Sequence, residues 1–220
     1  MEHKPPRKPR DMMIDAYYQL IPLISINLYW FLLTLPVVTA PASLMALFAT
    51  TNQMAKGDAV GWEDFWGAFR KFFWTGWLWI LVDGLVLGVL IMNVWFYRYY
   101  ITTDWAFLVG GLMIGLTILW VIVQCYVPAV LTMQEKKSIR AALRNTAGLI
   151  AYRPIVMGLT AVGTLIFYAA CSIYLFPVWI FITGSLGAYF LSKTTLKTVQ
   201  RLLEHQKKET PPEDPTPPAG

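Results

Sequence analysis

The chain has 220 residues, of which 56% are hydrophobic and only 14% are charged. Soluble domains carry about 25% charged residues, so this composition argues against a soluble protein and predicts an integral membrane protein. The 18 Lys and Arg residues outnumber the 13 Asp and Glu residues, but they lie between apolar stretches. That arrangement favours membrane topology and anionic lipid, rather than nucleic acid, as the reason for the positive charge.

The two ends of the chain are polar, and one transmembrane domain is expected between them. Residues 1–14 form a basic tail and residues 204–220 form a proline-rich tail, and we expect both to be disordered. The domain at 15–203 begins with apolar stretches at about 17–39 and 42–55, separated by Pro36 and Pro41. This pattern predicts a proline-broken helical hairpin, whose short second limb is either re-entrant or buried against other helices.

Four further apolar stretches have the length of single membrane spans, at about 75–97, 105–130, 155–175 and 177–193. The last two form one run that is too long for a single crossing of about 20 residues, and Pro177 marks a tight turn within it. The predicted fold is therefore all-α: a polytopic transmembrane helix bundle made of the hairpin and four transmembrane helices.

Two amphipathic segments, 61–74 and 138–152, precede the later spans and complete this fold as interfacial helices. The alternative is that each is a linker helix that turns the chain into its next span. Neither alternative excludes the docking of a partner, for which the candidate residues are Phe69, Arg70, Leu143 and Arg144.

The basic residues also predict the topology. A five-span arrangement with strict alternation would place loops with three, five and five basic residues outside, which the positive-inside rule opposes. If the segment 17–55 enters and leaves on the cytoplasmic side, 17 of the 18 basic residues lie inside and only Arg98 lies outside. We therefore expect a multi-pass protein of the cell (plasma) membrane with both termini in the cytoplasm.

Two sequence blocks resemble a known family. The first holds Asn27-Leu28-Tyr29-Trp30 and Pro36-Val37-Val38-Thr39-Ala40-Pro41-Ala42, and the second holds Asp64-Phe65-Trp66 and Phe69-Arg70-Lys71-Phe72. Together they resemble the YesL family of bacterial integral membrane proteins, a domain of unknown function, over about residues 15–200. Such proteins are often encoded beside carbohydrate ABC importers, so the resemblance implies an accessory role in sugar uptake. No catalytic or binding residues are established for the family.

The sequence carries no motif that indicates an enzyme. It has no zinc-ligand pattern, nucleophile elbow, phosphate loop or dinucleotide fingerprint, and we expect no catalytic residue, cofactor or metal. Cys125 and Cys171 lie in apolar runs as packed thiols. The ten tryptophans fall mostly near predicted span ends, which favours interfacial aromatic belts over sugar stacking.

Asp83 is the one acidic residue well inside a predicted span. An aspartate at the centre of a membrane helix costs about 3 kcal/mol on insertion scales, so its side chain is expected to face the bundle interior. Its candidate partners are Asn27, Asn93 and Gln124. Two interpretations remain open: a polar pathway or ion site, and a structural aspartate that is protonated or hydrogen-bonded.

Three functions are compatible with the sequence. The first is an accessory component of carbohydrate uptake that binds ABC permease subunits and, at the cytoplasmic face, anionic lipids. The second is an independent small-solute transporter or channel, and the third is a structural membrane protein. Gly84-x-x-x-Gly88 and Gly111-x-x-x-Gly115 allow close helix packing within one chain or in a homo-oligomer.

Overall fold

The structure, a computed structural model, describes residues 9–101, 103–175 and 179–209, and the side chains of residues 20–101, 103, 105–175 and 180–208. Over these ranges the chain is helical with short connections, so the predicted all-α class is confirmed. The helices are α1 (Pro9–Thr34), α2 (Ala40–Lys56), α3 (Trp62–Tyr99), α4 (Asp104–Met133), α5 (Ile139–Tyr152), α6 (Pro154–Tyr174) and α7 (Gly184–Glu209). A 3₁₀ turn, Val37–Thr39, precedes α2, and a π-helical turn, Trp179–Thr183, leads into α7.

The short helix α2 lies at the centre of the bundle. It packs against α1, α3, α4 and α7, and most of its side chains between Pro41 and Asn52 are buried. Pro41 lies in its first turn, where a proline removes no intrahelical hydrogen bond. The predicted hairpin therefore forms, and its second limb is buried against protein.

Helix α3 differs from the prediction, because the amphipathic segment 61–74 and the span 75–97 form one continuous helix of 38 residues. No proline interrupts this stretch, and glycine alone does not end a helix whose flanking turns are packed. At 1.5 Å per residue it is about 57 Å long. Phe65, Phe69 and Phe72 of its first half lie in the protein core, so this segment is not a separate interfacial helix.

Helix α5 forms as a separate amphipathic helix. The Ser138 hydroxyl accepts a hydrogen bond from the backbone N–H of Ala141 at 3.3 Å and caps its N-terminus. Ala142, Thr146 and Leu149 are buried on one face, whereas the basic residues of α5 are exposed on the other.

Two of the predicted boundaries shift. Helix α1 begins at Pro9, so residues 9–14, expected in the N-terminal tail, are helical, and α7 continues to Glu209 beyond the expected domain end at 203. The other residues of both predicted tails and the predicted turn at Pro177 lie outside the described residues. Helices α6 and α7 run antiparallel, since Thr198 lies 3.7 Å from the Met157 sulfur and Gly187 lies beside Thr164.

Three described helices are long and apolar enough to cross a membrane: α3, α4 and α6. Their apolar segments are mostly exposed, as expected for side chains that contact lipid. The fourth predicted span, 177–193, lies partly outside the described residues and stays a prediction. Its described part is a π-helical turn followed by the first part of α7.

Close approach of two helix backbones depends on Gly76. It does not depend on the glycine pairs that the sequence singled out on α3 and α4. A Cβ atom on Gly76 would lie 2.7 Å from the Pro41 carbonyl oxygen, so α3 crosses the start of α2 with backbones in contact. A Cβ atom on Gly84, Gly88 or Gly111 would meet no described atom within 4 Å, and the same holds for Gly115. The expectation that these pairs pack helices within one chain is therefore wrong.

Candidate functional site: an aromatic cavity between the helices

A cavity of about 480 Å³ lies between the α3–α4 hairpin and the α6–α7 pair, with α2 at its base. Trp30 of α1 closes one side. Its aromatic lining residues are Trp30, Phe48, Trp79, Trp120 and Tyr168. The volume falls within the range of about 300–1,000 Å³ that is usual for small-molecule sites.

Asp83 lies in the cavity wall, where its side chain is half-buried. Its carboxylate Oδ1 accepts a hydrogen bond from the indole Nε1–H of Trp120 at 2.8 Å. This contact compensates part of the cost of placing a carboxylate among apolar helices. The prediction that Asp83 faces the bundle interior is consistent with this position.

Gln124 forms a second polar contact in the same wall. Its Oε1 accepts a hydrogen bond from the indole Nε1–H of Trp79 at 2.9 Å. Trp79 is 6% exposed, so its indole N–H has left water and needs a protein partner. The tryptophan of each helix thus binds the polar side chain of the other, which locks the register of α3 against α4.

Sequence reasoning missed the roles of Trp79 and Trp120, which it assigned to interfacial belts. The spacing of the tryptophans from the nearby polar residues could have indicated these roles. Trp79 and Asp83 are four residues apart on α3, and Trp120 and Gln124 are four apart on α4, so each pair shares a helix face. An apolar helix face that carries a tryptophan and a polar side chain provides a donor and an acceptor that both need partners.

Asn27 lies beside the cavity and shapes its wall. It is fully buried, donates from Nδ2 to the Ile180 carbonyl at 2.6 Å, and accepts at Oδ1 from the Ser185 N–H at 2.7 Å. The side-chain amide therefore bridges two backbone groups five residues apart, at the junction of the π-helical turn with α7. A Cβ atom on Gly184 would lie 2.8 Å from the Trp30 ring, so the junction approaches α1 closely.

Residues 23–94 match the sequence profile of a family described as a protein of unknown function, DUF624. Neither the curated proteins nor the solved structures include a match to this chain. The DUF624 region holds Asn27, Trp30 and Asp83 together with the central helix α2. The opposite cavity wall, formed by α4, α6 and α7, lies beyond it.

Asn93 also falls inside the DUF624 region, but it is not brought to the cavity. Its Nδ2 donates to the Val89 carbonyl, one turn earlier in α3, at 2.8 Å. Of the predicted polar group, the structure therefore brings Asp83 and Gln124 into one cavity wall, places Asn27 behind it, and leaves Asn93 farther along α3.

The predicted docking residues separate into buried and exposed side chains. Phe69 is 7% exposed, lies in the core and stacks on Trp66 with ring centroids 5.1 Å apart. Leu143 is half-buried against the same core. Phe69 is therefore not available to a partner, because the aromatic stripe of α3 packs against protein. Arg70 and Arg144 are exposed, and their docking role stays a prediction.

The two segments that carry these arginines meet at the end of α4. Lys137 donates from Nζ to the Lys71 backbone carbonyl and lies over the Phe72 ring, 4.6 Å from its centroid. Burial, followed by the positive charge of Lys71, lowers the pKa of Lys137 below its ordinary value. We define the basic surface as the exposed basic side chains of the two segments that this contact joins: Arg70, Lys71, Lys136, Lys137, Arg140 and Arg144.

No group of three or more metal-ligating His, Cys, Asp or Glu side chains occurs among the described residues. Cys125 lines the cavity and Cys171 is buried, and both thiols are free. The described cavity presents one carboxyl group, one amide, one thiol and several aromatic rings around an apolar space, and these groups can contact a bound ligand.

Proposed function

We propose that the protein is a non-catalytic integral membrane protein of the YesL type, an accessory component of a carbohydrate importer that binds ABC permease subunits. Three helices long and apolar enough to cross a membrane support a membrane location. The DUF624 match over residues 23–94 is compatible with the YesL resemblance, from which the carbohydrate role is inferred.

The basic surface is the observation that favours a partner-binding role. Six basic side chains from α3, α5 and the loop before α5 are exposed in these segments. The acids near them are Glu135 and, in a pocket that Lys71 also lines, Glu63 and Asp64. Positive charge concentrated at one position steers and orients an acidic partner. In the proposed topology this surface faces the cytoplasm, so its partner is an acidic cytoplasmic surface of a permease subunit.

Charge reversal tests this role. The tagged protein would be purified from its native membrane in mild detergent, and its partners would be quantified by mass spectrometry. We expect permease subunits at near-equal amounts with the wild type, and their loss from the Arg70→Glu, Arg144→Glu double variant. Arg201→Glu, at an exposed arginine of α7 outside the basic surface, is the matched control and should retain the partners.

One result would contradict the accessory role, and another would contradict its assignment to the basic surface. Recovery of the wild type alone or only as a homo-oligomer would show that no permease subunit is bound. Retention of the subunits by the double variant would separate partner binding from the basic surface. Loss of anionic-lipid binding alone, with the partners retained, would assign the surface to the lipid headgroups.

A second candidate function, a small-solute transporter, is favoured by the cavity and its carboxyl group at Asp83. Against it, the cavity lining is mainly apolar, which argues against a wide hydrophilic pathway. Purified protein in liposomes that carries a solute across the bilayer, and loses this flux with Asp83→Asn, would support transport. A protein with neither partners nor flux would be a structural membrane protein.

A further inference from the structure

The cavity reaches the outer surface of the bundle through an apolar helix. Leu165 and Tyr168 of α6 line it and are 42% and 36% exposed. Helix α6 is one of the three helices long and apolar enough to cross a membrane, so its exposed side chains would contact lipid. The opening therefore faces the hydrocarbon phase, and a ligand that enters here must be soluble in lipid.

The charge of the cavity restricts the ligand further. Asp83 is the one Asp, Glu, Lys, Arg or His side chain among the described lining residues. A carboxylate offers about four acceptor positions, and Trp120 donates to one of its two oxygens. An anion would be repelled, whereas a positive charge would complete the interactions of the carboxylate.

The aromatic lining also favours a cation. Trp30, Phe48, Trp79, Trp120 and Tyr168 surround the space, and aromatic rings attract positive charge through their electron-rich faces, tryptophan most strongly. A sugar is less suitable, because the mainly apolar lining would leave most of its hydroxyl groups without hydrogen-bond partners.

We propose that this cavity binds a lipophilic organic monocation, a ligand whose single positive charge is spread over an apolar body, and that the ligand enters from the lipid phase past Leu165 and Tyr168. Asp83 pairs with the charge and the aromatic side chains hold the apolar body. Trp120 orients the Asp83 carboxylate. This inference does not depend on the accessory role, since it concerns the purified protein without partners.

The test compares two probes of nearly equal size and shape and opposite charge, tetraphenylphosphonium and tetraphenylborate. Saturable binding of each labelled probe to the purified full-length protein in lipid nanodiscs would be measured, with excess unlabelled probe to subtract partitioning into lipid. We expect saturable binding of the cation and at least about tenfold weaker binding of the borate, the scale of one charge-assisted contact.

Two variants then test whether the carboxylate of Asp83 makes the contact with the bound cation. Asp83→Asn preserves the size of the side chain, and we expect about 10- to 100-fold weaker cation binding, the range for loss of an interaction with a charged group. Asp58→Asn, at an exposed loop aspartate outside this cavity, is the matched control and should bind the cation as the wild type does.

The two-probe comparison needs no variant, so it remains decisive if Asp83→Asn fails to fold. Absence of saturable cation binding to the wild type would overturn the proposal, as would borate binding as tight as that of the cation. Unchanged cation binding by folded Asp83→Asn would overturn the assignment to this cavity. Failure of the pull-down experiment would leave these results unaffected.

Discussion

The contact of Gly76 with the start of α2 gives the sharpest test of the packing. The substitution Gly76→Ala adds one methyl group on the face of α3 that crosses Pro41. Its Cβ atom would lie 2.7 Å from the Pro41 carbonyl oxygen and 2.9 Å from the carbonyl carbon, against at least 3.4 Å for an ordinary contact. Both atoms belong to backbone, so no side-chain rotation can relieve the overlap.

The expected magnitude combines two opposing effects. Overpacking in a well-packed interior costs about 1–3 kcal/mol, and the upper part of this range applies where backbone must move. Alanine recovers about 1 kcal/mol over glycine in a helix interior. We therefore expect a net loss of about 2 kcal/mol in the free energy of unfolding, or a Tm lower by about 4–8 °C for a domain of this size.

The control is Gly88→Ala in the same helix, where a Cβ atom would meet no described atom within 4 Å. Only the gain in helix propensity applies there, so its Tm should be unchanged or raised by up to about 4 °C. Both variants would be followed by the intrinsic tryptophan fluorescence of the purified protein on heating in detergent. An unchanged Tm for Gly76→Ala, or equal decreases in both variants, would refute the described contact of α3 with α2.

Two other predictions concern a buried amide and the topology. Asn27→Ala leaves a buried carbonyl and a buried N–H of the π-helical junction without their side-chain partner. It should lower the free energy of unfolding by about 2–4 kcal/mol, whereas Asn93→Ala, whose amide bonds within its own helix, should change it by less than about 0.5 kcal/mol. Equal Tm changes would contradict the bridging role. With both native cysteines replaced by alanine, Arg98→Cys should react with a membrane-impermeant maleimide on intact cells, and Arg144→Cys only after permeabilisation. The reverse pattern would show that the proposed orientation is inverted.

The local features of the chain were predictable from the sequence. The all-α class, the apolar segments and the turn at Pro36–Pro41 follow from composition, hydropathy and proline chemistry, which act over a few residues. The amphipathic segment predicted at 138–152 forms α5 (Ile139–Tyr152) for the same reason, because the spacing of its apolar residues is a local pattern. These signals are carried by neighbours in the sequence, so no tertiary contact is needed to interpret them.

The surroundings of each helix were not predictable. The stripe that contains Phe69 was assigned to the membrane interface, and it packs in the core, because an apolar stripe looks the same whether lipid or protein covers it. The segment 42–55 was predicted to be either re-entrant or buried against other helices, and the sequence could not decide between them for the same reason. Its Thr50, Thr51 and Asn52 are buried by protein, which can supply hydrogen-bond partners that lipid cannot.

The amino-acid sequence by itself determined that this is a helical chain with segments apolar enough for a membrane. It also singled out Asp83 as a carboxyl group that needs a partner, with Asn27, Asn93 and Gln124 as the candidates. Only the tertiary structure decided that Asp83 accepts from Trp120, which was not a candidate, and that Gln124 accepts from Trp79. The bonds from Trp120 to Asp83 and from Trp79 to Gln124 depend on the register of α3 against α4. That register results from the packing of helices far apart in sequence, such as Gly76 against Pro41, and no local pattern encodes it.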